Sequence, residues 1–249
     1  MKRQGEIYKL DKKLSLSWGE MGRALDGSYA EYALLPNEQI YPVDSQLPWS
    51  ELAAVPETYY TAFGSFKNLQ IKEGDSILVR AATSGVGLAF LKLVKAQFPQ
   101  NRVVGVVRSL AKKDLLQHQG FDEIILNERG VLQTEEKFDK ILELVGPATL
   151  KNSFDHIQSA GIICNTGQLG GKWYVEEFDP IVEIKNNSFL TSFYSGNVSQ
   201  QLIDELFSYI DAYQINLSSQ RIFSLEQIPA AHSYIESQAG FGKVVVLND

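Results

Sequence analysis

A short glycine turn between a strand and a helix limits what this chain can fold into more than any other feature. The turn is TSGVG, residues 83–87, inside the stretch ILVRAATSGVGLAFLKLVKAQF that begins at Ile77. The residues before the turn are mostly apolar, which predicts a short strand. After the turn, apolar residues from Val86 to Phe98 recur at helical spacing, which predicts an amphipathic helix. A strand, a glycine turn and a helix in this order begin a βαβ unit.

The alternation of strand and helix continues after this first unit. Apolar runs such as VVGVV and KILELV are typical of strands that helices cover on both faces. The expected strands are Ser76–Ala82, Arg102–Val107, Glu123–Leu126, Phe138–Val145, Gly161–Thr166 and Ser188–Phe193. The expected helices are Val86–Phe98, Ala111–Gln119, Ala148–Ile157 and, more weakly, Glu176–Ile184. This order predicts an α/β fold with a doubly wound parallel sheet.

Both ends of the chain have a different pattern. Turn residues surround short runs in the N-terminal part, which favours antiparallel strands at Tyr29–Leu35 and Gln39–Pro42. The expected C-terminal elements are a helix, a strand, a second helix and a last strand, at Gln200–Tyr213, Arg221–Leu225, Leu225–Ser237 and Lys243–Leu247. We therefore expect a second, β-rich unit that both ends of the chain build together, with the α/β domain inserted between them.

Composition and charge exclude several classes of function. The formal net charge of −7 argues against a nucleic-acid surface, which needs clustered positive charge. The one cysteine, Cys164, leaves no disulfide framework and no multi-cysteine zinc site. No apolar stretch has the roughly 20 residues that a membrane span needs, and the N-terminus lacks the apolar run of a secretion signal. We expect a cytoplasmic globular protein.

The glycine turn has two interpretations, a phosphate-binding loop or an ordinary bend. A dinucleotide-binding turn needs glycine where the chain bends and where the backbone approaches a pyrophosphate, and Gly85 and Gly87 stand at these places. The following helix directs its free N–H groups at the phosphates. Phe90 stands where the third fingerprint glycine is expected, with Ala89 beside it. The place of the turn, after the first strand of a βαβ series, favours the phosphate-binding loop.

The end of the second strand indicates which dinucleotide binds. A free adenosine ribose usually meets an acidic residue about 20 residues after the glycines, and none stands there. Arg108 and Ser109 follow the strand instead, with Lys112 and Lys113 a turn later. An arginine suits a 2′-phosphate, on which such a hydrogen bond is worth about 1.5–3 kcal/mol. NADP(H) is therefore favoured over NAD(H); the alternative is a solvated basic start to a helix.

Other polar residues in the chain carry weaker signals. His118, His156 and His232 lie on three separate predicted helices without metal-ligand spacing. Cys164 stands in a predicted buried strand and is expected to be a packing residue, because a reactive thiol needs an exposed, electropositive setting. Glu143, in the strand ILELV, has two open interpretations, a polar group near the cofactor or simply the end of a strand.

Several ordered motifs together resemble a known family. DGSYAEYALLPNEQIYPV, AAVPETYYTAFGSF, AATSGVGLA, FDKILELVG and GKVVVL follow one another as in the medium-chain dehydrogenase/reductases. The chain is most similar to their zinc-free quinone oxidoreductase branch. The resemblance implies a Rossmann-type NADP(H)-binding domain at 57–195 and a partial GroES-like domain at 1–56 and 196–249. It also implies hydride transfer from NADPH to a quinone or an α,β-unsaturated carbonyl without metal, and a homodimer.

The resemblance also implies which residues bind the cofactor, each at a position that matches a family motif. On the pyrophosphate it places Ser84, Gly85, Val86 and Gly87. On the 2′-phosphate it places Arg108, Ser109 and Lys112. Val145 and Gly146 match a loop over the adenosine ribose. The positions that match the nicotinamide end are Thr61, Gly167, Gln168, Leu169, Phe193 and Tyr194. No catalytic residue is assigned.

The chain departs from the family at its N-terminus. Family members carry a longer segment before the position of Leu14, which builds the first half of the GroES-like domain and one wall of the substrate cleft. We expect this difference to affect catalysis more than cofactor binding. Two alternative functions therefore stay open. One is an NADPH-binding protein with little catalysis, such as a sensor or a partner-dependent fragment, and the other is an enoyl-thioester reductase of the same superfamily.

Overall fold

The computed structural model describes residues 13–16, 21–22, 26–30, 32–237 and 242–248. The strands are Lys13–Leu16 (β1), Ile40–Val43 (β2), Ile77–Arg80 (β3), Val103–Val107 (β4), Glu123–Glu128 (β5), Val131–Leu132 (β6), Phe138–Glu143 (β7), Ile157–Asn165 (β8), Phe189–Ser192 (β9), Arg221–Ser224 (β10) and Val244–Leu247 (β11). The α-helices are Trp49–Leu52 (α1), Tyr60–Leu69 (α2), Gly85–Gln97 (α3), Lys113–His118 (α4), Leu150–Asp155 (α5), Pro180–Glu183 (α6), Gln200–Tyr213 (α7) and Ile228–Glu236 (α8).

A seven-stranded sheet organises the fold, in the order β6-β5-β4-β3-β7-β8-β9. All neighbouring strands are parallel except β5 and β6, which form an antiparallel hairpin. The chain starts in the middle at β3, adds β4 and β5 on one side, and then crosses to add β7, β8 and β9 on the other. The topological switch point therefore lies between β3 and β7. The predicted doubly wound α/β sheet is confirmed, while hairpin strand β6 was not predicted.

Apolar side chains pack on both faces of this sheet, which explains the continuous apolar runs in the sequence. Successive strand residues point to opposite faces. Val79 and Leu142 accordingly belong to the core that contains the side chains of α2, α3 and α7. Leu78 and Ile141 belong to a second core, which contains the side chains of α5. Because both faces are covered at the centre of the sheet, the central strands β3 and β4 carry no polar face that would mark them as half-exposed.

Helix α3 begins where the sequence predicts, at the glycine turn. Ser84 precedes it in an extended conformation, and its side-chain oxygen accepts a hydrogen bond from the N–H of Gly87. This capping interaction satisfies one N–H of the first helical turn. Phe90 and Leu93 are fully buried on the same helix, so α3 is fixed against the sheet along its length.

The two ends of the chain contact each other beside the α/β sheet. β1 and β2 form an antiparallel pair, and β10 and β11 form a parallel pair. The hydroxyl of Ser219 donates to the carbonyl of Ser50 at 3.3 Å. The side-chain amide of Asn248 donates to the carbonyl of Ala30 at 2.9 Å. The proposed boundaries of a partial GroES-like domain stay a prediction.

Two secondary-structure predictions are wrong. Among the described residues of Tyr29–Leu35 there is no strand, and no described strand pairs with this segment. Tyr32 and Leu34 are 88% and 93% exposed. The helix predicted at Glu176–Ile184 is reduced to α6, because Asp179 caps its start and Pro180 occupies the first helical position.

None of the helices in the described parts of the chain is long and apolar enough to span a bilayer.

Candidate functional site

The carboxyl ends of the parallel strands meet at one edge of the sheet, beside the switch point between β3 and β7. Open α/β sheets bind ligands at this place because the loops after the two strands diverge there and leave a crevice. All predicted site residues except Thr61 lie in the segments that follow β3, β4, β7, β8 and β9. Thr61 lies in the first turn of α2 and is buried. The topology thus collects these residues along one edge.

The glycine turn has the form of an anion-binding helix start. The N–H groups of Gly85 and Val86 have no hydrogen-bond partner among the residues the structure describes. A Cβ at Gly87 would lie 2.8 Å from the carbonyl oxygen of Ala81, so the protein itself requires glycine there. A Cβ at Gly85 would make only ordinary contacts, the nearest at 3.5 Å to Thr58. Two N–H groups without a partner among the described residues, at the start of a helix, fit an approaching phosphate.

The loops after β7 and β8 pack backbone against backbone. The N–H of Leu169 donates to the carbonyl of Leu144 at 3.1 Å, and that of Gly170 donates to the carbonyl of Val145 at 2.8 Å. A Cβ at Gly167 would lie 2.1 Å from the Leu144 oxygen. Gly146 has a φ of +84°, and a Cβ there would lie 2.3 Å from the Gly167 oxygen. Only glycine permits this approach, so the predicted residues of both loops are brought together.

The side chain of Glu143 stabilises the first of these loops, the one after β7. Both Glu143 and Arg80 are fully buried. One carboxylate oxygen of Glu143 accepts the N–H groups of Val145 and Gly146 at 2.9 and 3.0 Å. The other accepts the hydroxyl of Ser153 at 2.6 Å and lies 3.4 Å from Nε of Arg80. Burial lowers the pKa of Arg80, and the nearby Glu143 charge opposes that shift. Glu143 is therefore a loop anchor.

A chain of hydroxyl groups lies beneath the end of β8. The hydroxyl of Ser65 donates to the carbonyl of Thr61 at 2.8 Å and lies 2.8 Å from the hydroxyl of Thr166. Thr166 in turn lies 3.3 Å from the sulfur of Cys164. Burial raises the pKa of the Cys164 thiol, which agrees with its predicted packing role. These contacts connect α2, which carries Thr61, to the loop that begins at Gly167.

Of the two predicted residues after β9, only Phe193 packs against this region. A Cβ at Gly64 would lie 2.1 Å from the Phe193 ring, so the absence of a side chain on α2 creates the seat for that ring. The ring also lies 5.7 Å from that of Tyr60. Tyr194 is 73% exposed, and its ring lies over Gly196 of its own turn. Gln168 is also exposed, with its amide donating to the carbonyl of Trp173.

The predicted 2′-phosphate residues form a separate group after β4, the strand next to β3. Arg108 is exposed, and its guanidinium has no hydrogen bond or ion pair within the described parts of the chain. The hydroxyl of Ser109 accepts the N–H of Ala111 at 3.3 Å and so caps the short helical turn that contains Lys112.

Within the described residues, no group of three His, Cys, Asp or Glu side chains can hold a metal ion.

Lys243 is a candidate that the residue-by-residue prediction missed. Its Nζ donates to the hydroxyl of Thr58 at 3.1 Å, and the N–H of the preceding Gly242 donates to the carbonyl of Thr83 in the glycine turn at 3.2 Å. Burial lowers the pKa of Lys243, and the charge of Glu57 opposes that shift. The motif GKVVVL contains this lysine, but its position beside the turn depends on how the two ends of the chain pack.

The close packing of the loops after β7 and β8 predicts the effect of adding one methyl group at Gly167. We expect Gly167→Ala to lower the free energy of unfolding by about 1–3 kcal/mol, because its Cβ overlaps the Leu144 oxygen. Gly27→Ala is the matched control, since its Cβ would lie 3.4 Å from the nearest atom, and we expect a change within about 0.5 kcal/mol. Urea unfolding measures both. Equal effects would contradict the described loop contact.

Two curated relatives cover most of the chain. The probable polyketide synthase 14 of Dictyostelium discoideum is 24% identical over 245 residues, which are 88% of this chain and 8% of that protein. The quinone oxidoreductase of Pseudomonas aeruginosa is 24% identical over 254 residues, which are 96% of this chain and 76% of the relative. The chain thus spans a small part of the first relative and about three quarters of the second.

Solved structures share the fold. Bacillus subtilis yhfP, crystallised with NAD bound, is 23% identical with a TM-score of 0.78, over 94% of this chain and 74% of that chain. Escherichia coli YhdH, with bound NADPH, is 16% identical with a TM-score of 0.78, over 94% of this chain and 75% of that chain. At these identities the likeness shows a common Rossmann-type architecture.

A family model adds to the likeness in fold. The model described as zinc-binding dehydrogenase matches residues 119–246, which are more than half of the 249 residues. The match runs from the end of α4 to β11 and includes the loops after β7, β8 and β9. The chain therefore belongs to the zinc-binding dehydrogenase family, as a quinone oxidoreductase-like member of the medium-chain dehydrogenase/reductases.

Proposed function

We propose that the chain is an oxidoreductase that binds NADP(H) and transfers hydride to a quinone or an α,β-unsaturated carbonyl without a metal ion. The observation that carries the proposal is the pair of N–H groups of Gly85 and Val86 at the switch point, which have no hydrogen-bond partner in the part of the chain that the structure describes. A dinucleotide pyrophosphate is the group that such an arrangement binds in an α/β sheet. The quinone oxidoreductase relative and the structures with NAD or NADPH bound support the same activity.

The adenosine half of the cofactor would bind along β4 and β7. Arg108 is exposed at the end of β4 without an ion-pair partner in the described chain, which leaves its five N–H donors available to a 2′-phosphate. Ser109 and Lys112 would add a hydroxyl and a second cation. Val145 and Gly146, which Glu143 anchors, would lie over the adenosine ribose. The choice of NADP(H) over NAD(H) rests on this basic group.

The rest of the cofactor would follow the glycine turn toward the end of β8. Ser84 to Gly87 would hold the pyrophosphate, and Lys243 is a nearby cation that could neutralise part of its charge. The nicotinamide would lie among Thr61, the loop from Gly167 to Leu169, and Phe193 with Tyr194. When bound, the reduced nicotinamide supplies the hydride. The contribution of the chain is to orient cofactor and acceptor and to exclude water.

A second candidate acceptor is an enoyl thioester. The Dictyostelium polyketide synthase matches 88% of this chain, and this observation favours a thioester-linked acceptor. The chemistry is closely related, since hydride adds to a carbon–carbon double bond conjugated to a carbonyl. The two candidates therefore differ in the acceptor and share the cofactor site.

We also propose that the chain forms a homodimer through the outer edge of β9. This strand ends the sheet, so one of its edges has no neighbouring strand among the described residues. Phe189 and Leu190 are 59% and 38% exposed, and Ile181 and Val182 in the preceding connection are 92% and 65% exposed. Exposed apolar edge strands are sites of pairing with another chain. A second copy of the same strand would satisfy the free backbone groups symmetrically.

Steady-state turnover tests the proposed activity. We expect the purified chain to oxidise NADPH when benzoquinone is added, as followed by the absorbance of the reduced nicotinamide. Because the proposed step needs no metal, prior treatment with EDTA should leave the rate unchanged. An enoyl thioester as acceptor in a parallel assay separates the two candidates. NADPH binding without turnover of any acceptor would contradict the enzymatic proposal and leave an NADPH-binding protein.

Arg108→Ala tests the choice of cofactor. We expect the Kd of NADPH, measured by fluorescence titration, to rise about 10- to 150-fold, because the 2′-phosphate loses a charged hydrogen-bond donor. The Kd of NADH should not change, since NADH lacks that phosphate. Lys113→Ala is the matched control, because it removes one exposed positive charge from the same helix start. An equal loss of affinity for both nucleotides would contradict the assignment of Arg108.

Light scattering after size-exclusion chromatography tests the dimer. The wild-type chain should have twice the mass of one 27.8 kDa chain. Phe189→Asp should give the monomer mass, because a charge on the β9 edge would be desolvated in the interface. Leu34→Asp places the same charge at a residue that is 93% exposed and far along the chain from β9, and should leave the dimer intact. A monomeric wild-type chain would contradict the proposal.

A further inference from the structure

Arg80 occupies an unusual position for a charged residue. It lies in the central strand β3, its side chain is fully buried, and the residue after it, Ala81, has a φ of +61° at the start of the glycine turn. Burying a guanidinium is costly unless each of its groups finds a partner. The partners of Arg80 come from three different segments of the chain, β7, the β5–β6 hairpin and α5, so one buried side chain contacts all three.

The first partner of Arg80 lies on the next strand. Nε of Arg80 is 3.4 Å from the carboxylate of Glu143, at the end of β7. That carboxylate holds the N–H groups of Val145 and Gly146, and Gly146 packs against Gly167. Through Glu143, Arg80 is therefore linked to the loop that would lie over the adenosine ribose, and that loop packs against the Gly167 loop at the nicotinamide end.

The other partners of Arg80 lie in the β5–β6 hairpin and on α5. One terminal nitrogen of the guanidinium donates to the carbonyl of Gly130, 3.4 Å away in the β5–β6 hairpin. The other donates to the side-chain oxygen of Asn152 on α5. The same oxygen accepts the N–H of Leu132, 3.1 Å away in the hairpin. The hairpin includes the end of β5, which pairs with β4, and Arg108 follows β4 on the adenosine side.

We propose that Arg80 is a positioning residue that couples the adenosine end of the cofactor site to its nicotinamide end. The inference rests on the proposed function and goes beyond it. Binding at one end orders the hairpin or the loops after β7 and β8, and the guanidinium transmits this order because it lies beside Glu143 while it donates to Gly130 and Asn152. By linkage, each half of the cofactor then strengthens the binding of the other half by the same factor.

The test measures the two halves of NADPH separately. Reduced nicotinamide mononucleotide is titrated by fluorescence in the absence and presence of saturating 2′,5′-ADP, and the ratio of its two Kd values is the coupling factor. For the wild-type chain we expect a factor of at least about fivefold. Arg80→Met keeps an unbranched buried side chain and leaves in place the three hydrogen bonds that the Glu143 carboxylate accepts. It should bring the coupling factor to one.

Lys140→Met is the matched control. Lys140 is also a buried cation, 7% exposed, on the neighbouring strand β7, and its Nζ lies 3.8 Å from Asp75 at the opposite edge of the sheet. Lys140→Met also replaces a buried cation by methionine, but away from the proposed site. Its coupling factor should therefore equal that of the wild-type chain. Asn152→Ala removes the oxygen that joins Arg80 to Leu132 of the hairpin, while the contact with Gly130 and the ion pair stay, and it should also lower the factor. This variant carries the test if Arg80→Met does not fold.

The outcomes separate this inference from the proposed function. If Arg80→Met, or Asn152→Ala where Arg80→Met does not fold, has the same coupling factor as the wild-type chain, the positioning role is overturned. The role is also overturned if both halves bind the wild-type chain with a coupling factor of one, and in that case the proposed NADPH site still stands. If neither half nor intact NADPH binds the wild-type chain, the proposed function fails and the inference fails with it. A loss of thermal stability alone, with the coupling factor unchanged, would assign Arg80 a purely structural role.

Discussion

The candidate site depends on the hydrogen bonds that the buried carboxylate of Glu143 accepts. This carboxylate lies at the end of a central strand, where the chain must leave the sheet with several backbone N–H groups unpaired. By accepting two of these N–H groups, it fixes the turn that contains Gly146. The backbone carbonyl of the same residue accepts the N–H groups of Thr166 and Gly167 at 2.9 and 3.2 Å. One residue thus holds both loops beside the switch point.

The glycines complete what Glu143 begins, by letting two backbones approach to hydrogen-bond distance. At Gly167 the reason for glycine is the carbonyl oxygen of Leu144, and at Gly87 it is the carbonyl oxygen of Ala81. Among the described residues Gly85 has no such reason, because the atoms around it leave ordinary contact distances. A glycine without a steric need there, beside two N–H groups with no partner in the same described residues, is what a bound phosphate would explain.

Much of the sheet and of the site edge could be predicted because the determining signals are local. The apolar runs and the turn TSGVG lie within a few residues of the elements they specify, so β3 and α3 appear where expected. Arg80 and Lys243 could not be predicted as site residues, because their partners lie far away in sequence. Helix α2 was not predicted either. Its sequence, YTAFGSFKNL, is rich in residues with modest helix propensity, and burial in the core stabilises it.

The central claim is that the glycine turn and the two loops beside it form one cofactor site, and amide hydrogen exchange tests it most directly. NADPH should slow exchange in residues 81–88, 144–146 and 166–170, which surround the switch point at the carboxyl edge. Exchange at the opposite edge, around Ser76 and Asp139, should stay unchanged, because these residues hydrogen-bond each other away from the site. Unchanged exchange in all three segments, or protection confined to other parts of the chain, would contradict the account.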